Sequence, residues 1–251
     1  FKFIELEIRF SFKYTTLNRC SFNALTGDCL KMCGRYTLTK SFKTIKSHFK
    51  PVRMSLKYFP SFNIVPSQIS AVITKSSNGL QLEGMKWGLI PSWSKEINMG
   101  NKLINARSET LHEKPSFRES FKNKRCLIPA DGFIEWKGKH PYYIRPKTQG
   151  LLAFAGLWST WDSGDGPLNT YTIITTEANK TLSPLHSRMP VILHPENYEK
   201  WLNAESKALS QLLTPCPDKD LEYFEISTAV NSPKNNDPEI LRPARQRSFT
   251  F

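Results

Sequence analysis

Residues 126–176 read CLIPADGFIEWKGKHPYYIRPKTQGLLAFAGLWSTWDSGDGPLNTYTIITT, and this stretch decides the fold class. Within it, 126–136, 142–145, 151–158 and 171–176 are short runs rich in aliphatic, aromatic and β-branched residues. Turns bearing Gly or Pro separate them, which is the pattern of successive strands. Moving toward the N-terminus, 69–74 (ISAVIT) is a further strand, and Asn78-Gly79 predicts a hairpin turn into 80–87. Toward the C-terminus, 224–230 is the last predicted strand. Three stretches read as helices. In 39–49 (TKSFKTIKSHF), Phe42, Ile45 and Phe49 share one face behind a cap at Thr39 or Ser41; 195–202 and 204–213 are the others. Strands dominate and no βαβ rhythm appears, so the class is α+β with a strand-rich core and peripheral helices. No internal repeat or long linker divides it, and a single domain is expected over 32–240. The chain turns polar after 233, and 241–251 is set apart as a polar, basic tail.

Residues 1–31, FKFIELEIRFSFKYTTLNRCSFNALTGDCLK, differ in character. They alternate like a strand over 3–12 and then become polar. Glu5, Glu7 and Arg9 interrupt the apolar core that a secretory signal needs, and the acidic residues disfavour a transit peptide. The segment is expected to be non-native sequence upstream of a start at Met32, or a leader that is removed.

The formal charge of +13 favours polyanionic partners, nucleic acid above membrane, because no basic amphipathic helix stands out. The longest apolar runs fall far short of a bilayer span. Five cysteines (Cys20, Cys29, Cys33, Cys126 and Cys216) include no CxxC pair and suit neither a disulfide framework nor a four-ligand zinc site. His112, His140 and His194 lack a second ligand at motif spacing. No metal or cofactor is therefore expected, and the thiols should be reduced, as in a cytoplasmic or nuclear compartment.

Met32-Cys33-Gly34-Arg35 carries the chemistry. Initiator Met is normally removed before a small residue, which would leave Cys33 with an α-amine beside its thiol. An α-amine has a pKa of about 8, so a useful fraction is neutral at physiological pH. Amine and thiol together close a thiazolidine on an aldehyde, whereas an internal cysteine forms only a reversible hemithioacetal. A lone cysteine is more often a small buried hydrophobe.

Beyond these four residues, MCGRYTL, FNIVPSQ, MKWGLIPSW, LINARSET, RCLIPADGFIEW, LLAFAGLW, YTIITTEAN, LHSRMPVIL and STAVNSPKN occur in one order from Met32 to about Glu239. In this the sequence resembles the SRAP family (SOS response-associated peptidases), which includes abasic-site-processing proteins. The resemblance implies a single α+β domain with a barrel-like β core and a basic cleft for single-stranded DNA. It also implies a covalent thiazolidine between the N-terminal cysteine and a ring-opened abasic sugar, in the DNA damage response, with self-processing peptidase and lyase-like chemistry. Location would be cytoplasmic or nucleoid in a bacterium and nuclear in a eukaryote; the protein is expected to be a monomer.

The implied catalytic residues are Cys33, Asn105, Glu135 and His186. Glu135 lies in GFIEW, where Phe133, Ile134 and Trp136 should desolvate it and raise its pKa into a range useful for proton transfer. His186 would assist imine formation or resolution, and Asn105 would hold the Cys33 terminus or sugar hydroxyls. Arg35, Arg107 and Arg188 are candidates for DNA phosphates, and Pro66 and Trp93 for flat contacts with bases. Trp87 reads as core packing. The segment 86–125, with nine Lys/Arg against four Asp/Glu, is the strip expected to track the backbone. Two departures stand out: 32 residues precede Cys33, whose nitrogen is then an amide, and Ser94 replaces a second aromatic.

Rival readings remain. Class II glutamine amidotransferases also begin Met-Cys-Gly, but the basic charge and the NARSET, GFIEW and HSRMP segments argue against them. A non-catalytic single-stranded DNA module would make Cys33 incidental. A thiol peptidase acting on proteins would use Cys33, His186 and Asn105 as a Cys-His-Asn set.

Overall fold

The computed structural model describes residues 33–244 apart from 149, 163 and 204. The leader expected over 1–31 and the last residues of the tail, 245–251, lie outside the described residues. In chain order the elements are β1 (Tyr36–Leu38), α1 (Phe42–Phe49), β2 (Arg53–Met54), β3 (Ser61–Ile64), β4 (Ile69–Ser76) and β5 (Gly79–Trp87). There follow β6 (Asn105–Arg107), α2 (Arg118–Asn123), β7 (Arg125–Ala130), β8 (Gly132–Lys137), β9 (His140–Pro146) and β10 (Leu152–Asp162). The last are β11 (Pro167–Glu177), β12 (Arg188–Pro190), β13 (Ile192–Leu193), α3 (Tyr198–Asn203) and β14 (Leu221–Glu225).

The Asn78-Gly79 hairpin forms as expected, with β4 and β5 antiparallel from Ser76↔Gly79 to Ile69↔Lys86. Gly79 has φ +118°, which a side chain rarely tolerates. From this hairpin the ladder runs β5–β4–β7–β10–β11. It closes through a parallel contact of β11 with β5, Thr170↔Lys86 and Tyr171↔Trp87. The result is a closed five-stranded barrel, which has no free edge within its own ring. A second, antiparallel sheet runs β14–β9–β8–β1–β3. Between them Trp87 stacks on Tyr171 at 6.3 Å and meets Tyr36 edge-on at 5.2 Å, all three buried.

The sequence predicts one strand over 126–136; the structure breaks it at Asp131. Residues of β7 pair with β10 in the barrel, whereas β8 pairs with β1 and β9 in the second sheet. The corner is specified chemically. The buried Asp131 carboxylate accepts from Thr37 Oγ1 (2.5 Å), Thr39 N and Oγ1 (both 2.6 Å) and Lys40 N (3.0 Å). Next to it, a Cβ on Gly132 would lie 2.4 Å from the Tyr143 ring, so only glycine lets β9 pack there.

Helix α1 is capped by Ser41, which accepts from Thr44 N at 3.2 Å, and buries Ile45 and Phe49 as the periodicity requires. Four expected segments are refined by the structure. The helix expected at 204–213 is a 3-10 helix, Ser206–Leu212, and that at 195–202 is a 3-10 turn running into α3. The strand expected at 224–230 ends at Glu225, and Thr228–Asn231 turns behind a Ser227 cap. The residues beyond 233 are more than a polar tail: Ile240 is buried and Ile226 bridges to Pro243.

Candidate active site

Strand β1 brings Cys33 to Glu135. It pairs antiparallel with β8 through Tyr36↔Phe133 and Thr37↔Gly132, and Ile134 N donates to Arg35 O at 3.0 Å. Continuing that register places the residues before Arg35 over Glu135. There the Cys33 backbone N–H donates to Glu135 Oε1 at 2.7 Å. Cys33 is fully buried and Glu135 is 6% exposed. Burial raises the Glu135 carboxyl to about 8, partly offset by the Cys33 N–H bond. Burial also pushes the Cys33 thiol well above its usual value, with the nearby Glu135 charge adding to the shift. Cys33 has φ +49°, a left-handed conformation costing a non-glycine residue about 1–3 kcal/mol.

Arg35, the next candidate on this strand, is engaged in the fold. Its guanidinium donates to Asn63 Oδ1 (3.0 Å), to Val230 O and to Asn231 O (3.1 Å), and lies 5.7 Å from the centroid of the Trp136 ring. Asn63, in the FNIVPSQ stretch, donates to Val230 O, Ser232 O and Asn235 O. Sequence reading gave Asn63 no role. Its amide is what anchors the STAVNSPKN turn beside Arg35, and its position within a quoted motif was the available signal.

A second group assembles around the C-terminal half of β11. Strand β6 runs parallel to it, Asn105↔Ile173 and Arg107↔Thr175, and β12 pairs on it antiparallel, Glu177↔Arg188. Thus Asn105, Arg107, His186 and Arg188, dispersed in sequence, come to one end of one strand. Arg107 is exposed. The Arg188 guanidinium is committed: it makes a two-pronged bond to Glu109 (2.7 and 3.0 Å) and donates to Thr175 O (2.6 Å). His186 Nδ1 accepts from Arg188 N at 3.0 Å. In the core, Tyr36 of β1 hydrogen-bonds Tyr171 of β11, hydroxyl to hydroxyl, at 2.7 Å.

The flat candidates lie on loops. Pro66 is half-buried beyond β3. Trp93 is 57% exposed and lines an open depression of about 330 Å³ with Lys95, Met99 and Lys102. Trp161 Nε1 holds that loop by donating to Ser94 O at 2.7 Å. Trp87 is buried, as expected, and donates to Ile104 O. The basic strip loses a member: Arg125 is buried and donates to Phe121 O, Lys122 O and Trp201 O, so it closes α2 onto α3. Among the described residues no cluster of His, Cys, Asp and Glu has metal-holding geometry, and Cys33, Cys126 and Cys216 are free thiols. No helix of the described residues is long and apolar enough to cross a membrane.

A profile of the SOS response associated peptidase (SRAP) family matches residues 32–233. The chain belongs to the SRAP family. This SRAP chain is 45% identical over 221 residues to the abasic site processing protein YoqW of Bacillus subtilis, covering 84% of the chain and 99% of that protein. It is 37% identical over 222 residues to the abasic site processing protein HMCES of Xenopus tropicalis, covering 74% and 66% of the two chains. A crystal structure of a Bacteroides thetaiotaomicron protein superposes with a TM-score of 0.74 at 28% identity, covering 84% of the SRAP chain and all of the other. The strand-rich, barrel-centred fold is therefore the family's.

Proposed function

We propose that this SRAP protein processes abasic sites in single-stranded DNA by bonding to them through Cys33, in a form whose chain begins at Cys33. The observation that carries the reading is the 2.7 Å bond from the Cys33 nitrogen to Glu135 Oε1, with both residues buried. A proton-handling carboxyl stands at the nitrogen that must become a nucleophile. A Cys-His-Asn peptidase instead needs a base at sulfur and a lowered thiol pKa, whereas the Cys33 thiol is pushed upward.

In this reading the neutral α-amine adds to the aldehyde of the ring-opened sugar, and Glu135 relays protons as the hydroxyl leaves as water. The thiol then adds across the imine: a C–S bond forms, the thiol proton passes to nitrogen, and the five-membered ring closes. The net change is aldehyde plus aminothiol to thiazolidine plus water. His186 and Asn105 would serve the imine and the sugar hydroxyls. Removal of whatever precedes Cys33 also abolishes its φ constraint, since a terminal residue has no φ, and the family profile begins at Met32. The peptidase in the family name would correspond to such processing.

The test is a chain starting at Cys33 incubated with an abasic single-stranded oligonucleotide. It should give a crosslink that survives a denaturing gel, and Cys33→Ser, which keeps the amine but closes a weaker ring, should lose the durable product. A Cys33→Ser crosslink as durable as the parent's would exclude the thiazolidine. The same chain without Met32 removed should not form it.

A further inference from the structure

Arg188 ties together two segments that both carry candidate catalytic residues. Glu109 follows Asn105 by four residues, and Arg188 follows His186 by two. From β12 the Arg188 side chain crosses the edge of β11, donating to Thr175 O on the way and gripping both Glu109 carboxylate oxygens beyond it. A two-pronged arginine–carboxylate bond fixes direction as well as distance. It is mutual here, for the Arg188 bond holds the Glu109 carboxyl below its usual range.

At the other end of the strap, the Arg188 backbone N–H points at His186 Nδ1, 3.0 Å away. A backbone N–H can only donate, so Nδ1 must carry a lone pair, and a neutral His186 must bear its proton on Nε2. The turn before it is fixed as well: Asn179 Oδ1 accepts from Leu182 N, and Leu182 O from His186 N. The Arg188 backbone itself is carried by β12, paired with β11 at Glu177, and its side chain adds a second hold by clamping to Glu109. We propose that Glu109 is a positioning residue for His186, holding it through Arg188 in the tautomer that donates from Nε2 and keeping the His186 and Asn105 segments in register. This rests on the reading of His186 as a residue that assists covalent capture.

The experiment has two arms, both on chains starting at Cys33. In the first, the ¹⁵N shifts of the His186 ring nitrogens, recorded without DNA, report which nitrogen is protonated. The parent should show a bare Nδ1. Glu109→Ala should show exchange between tautomers, and Glu109→Gln, which keeps one acceptor, should fall between. In the second arm, crosslinking to abasic single-stranded DNA by chains starting at Cys33 should slow by about 10-fold in Glu109→Ala, within the roughly 10²-fold that a 1 Å misplacement costs. Glu109→Gln should recover part of that rate. Ring shifts unmoved in Glu109→Ala overturn the proposal whatever the rate does, and moved shifts with an unchanged rate overturn it equally. If the parent forms no crosslink, the functional reading fails separately, and the shifts still decide whether Glu109 sets the tautomer.

Discussion

Glu135 keeps its proton to about pH 8 because it is sealed inside the protein, and two measurable consequences follow. As the group nearest the Cys33 nitrogen, it should dominate proton transfer: Glu135→Gln should bind DNA normally and crosslink slower by roughly 10²-fold or more. A mutant reacting at the parent's rate would remove it from the mechanism. The second consequence is for stability. The folded chain holds a proton that the unfolded chain has released above the ordinary carboxylate range. Stability from this site is therefore complete at low pH, declines as pH rises, and is spent above about 8. Urea unfolding at a series of pH values should find Glu135→Gln gaining on the parent by up to a few kcal/mol across that window. The GFIEW pattern made this burial legible, because period-two alternation between bulky neighbours is local. Asn63 and Glu109 lie in quoted motifs, but what they do was not readable, for the opposite reason. Their partners lie far along the chain, and an amide or carboxylate in isolation reads as a solvated surface group.

Elements were legible where short-range signals define them. The Asn-Gly hairpin and the capped helix α1 both need only a handful of adjacent residues. The corner at Asp131 was hidden because apolar residues run through both sides of it, and what breaks the strand is a set of donors from Thr37 to Lys40. Asp131→Asn should show how much the corner depends on that carboxylate. An amide keeps only one acceptor oxygen, so the charge-assisted bonds weaken and at least the one from Thr37 must reverse. A loss of about 1–3 kcal/mol is expected. The denaturant slope should not change. Because β8 leaves this corner carrying Glu135, crosslinking should fall as well; a variant with unchanged stability would show that β8 is positioned by its sheet partners alone. The 3-10 helices were read as ordinary helices for a related reason, since apolar spacing of three and four residues fits both.

Over the whole molecule, the surplus of +13 and the exposed Arg107 lead us to expect affinity dominated by backbone phosphates. If about four are contacted, log affinity should fall with log salt at a slope near −3, from roughly −0.7 per contact on single strands. Arg107→Ala should flatten it by about one contact, whereas Trp93→Ala should cost about 1–3 kcal/mol and leave the slope alone. Equal affinity for duplex, or no salt dependence, would overturn this view of the surface. Arg35, Arg125 and Arg188 already donate to backbone carbonyls or to Glu109, so substituting any of them should move the salt slope less than Arg107→Ala does. The barrel closure has a kinetic consequence. The ring shuts only when β5 meets β11, strands about eighty residues apart in the chain, and β11 is also the strand on which β6 and β12 assemble. Such long-range closure is slow, and nothing is gained from it until the loop between is ordered. The second group of candidate catalytic residues should therefore form late in folding and vanish with global unfolding, leaving no stage at which a partly folded chain presents both groups to DNA.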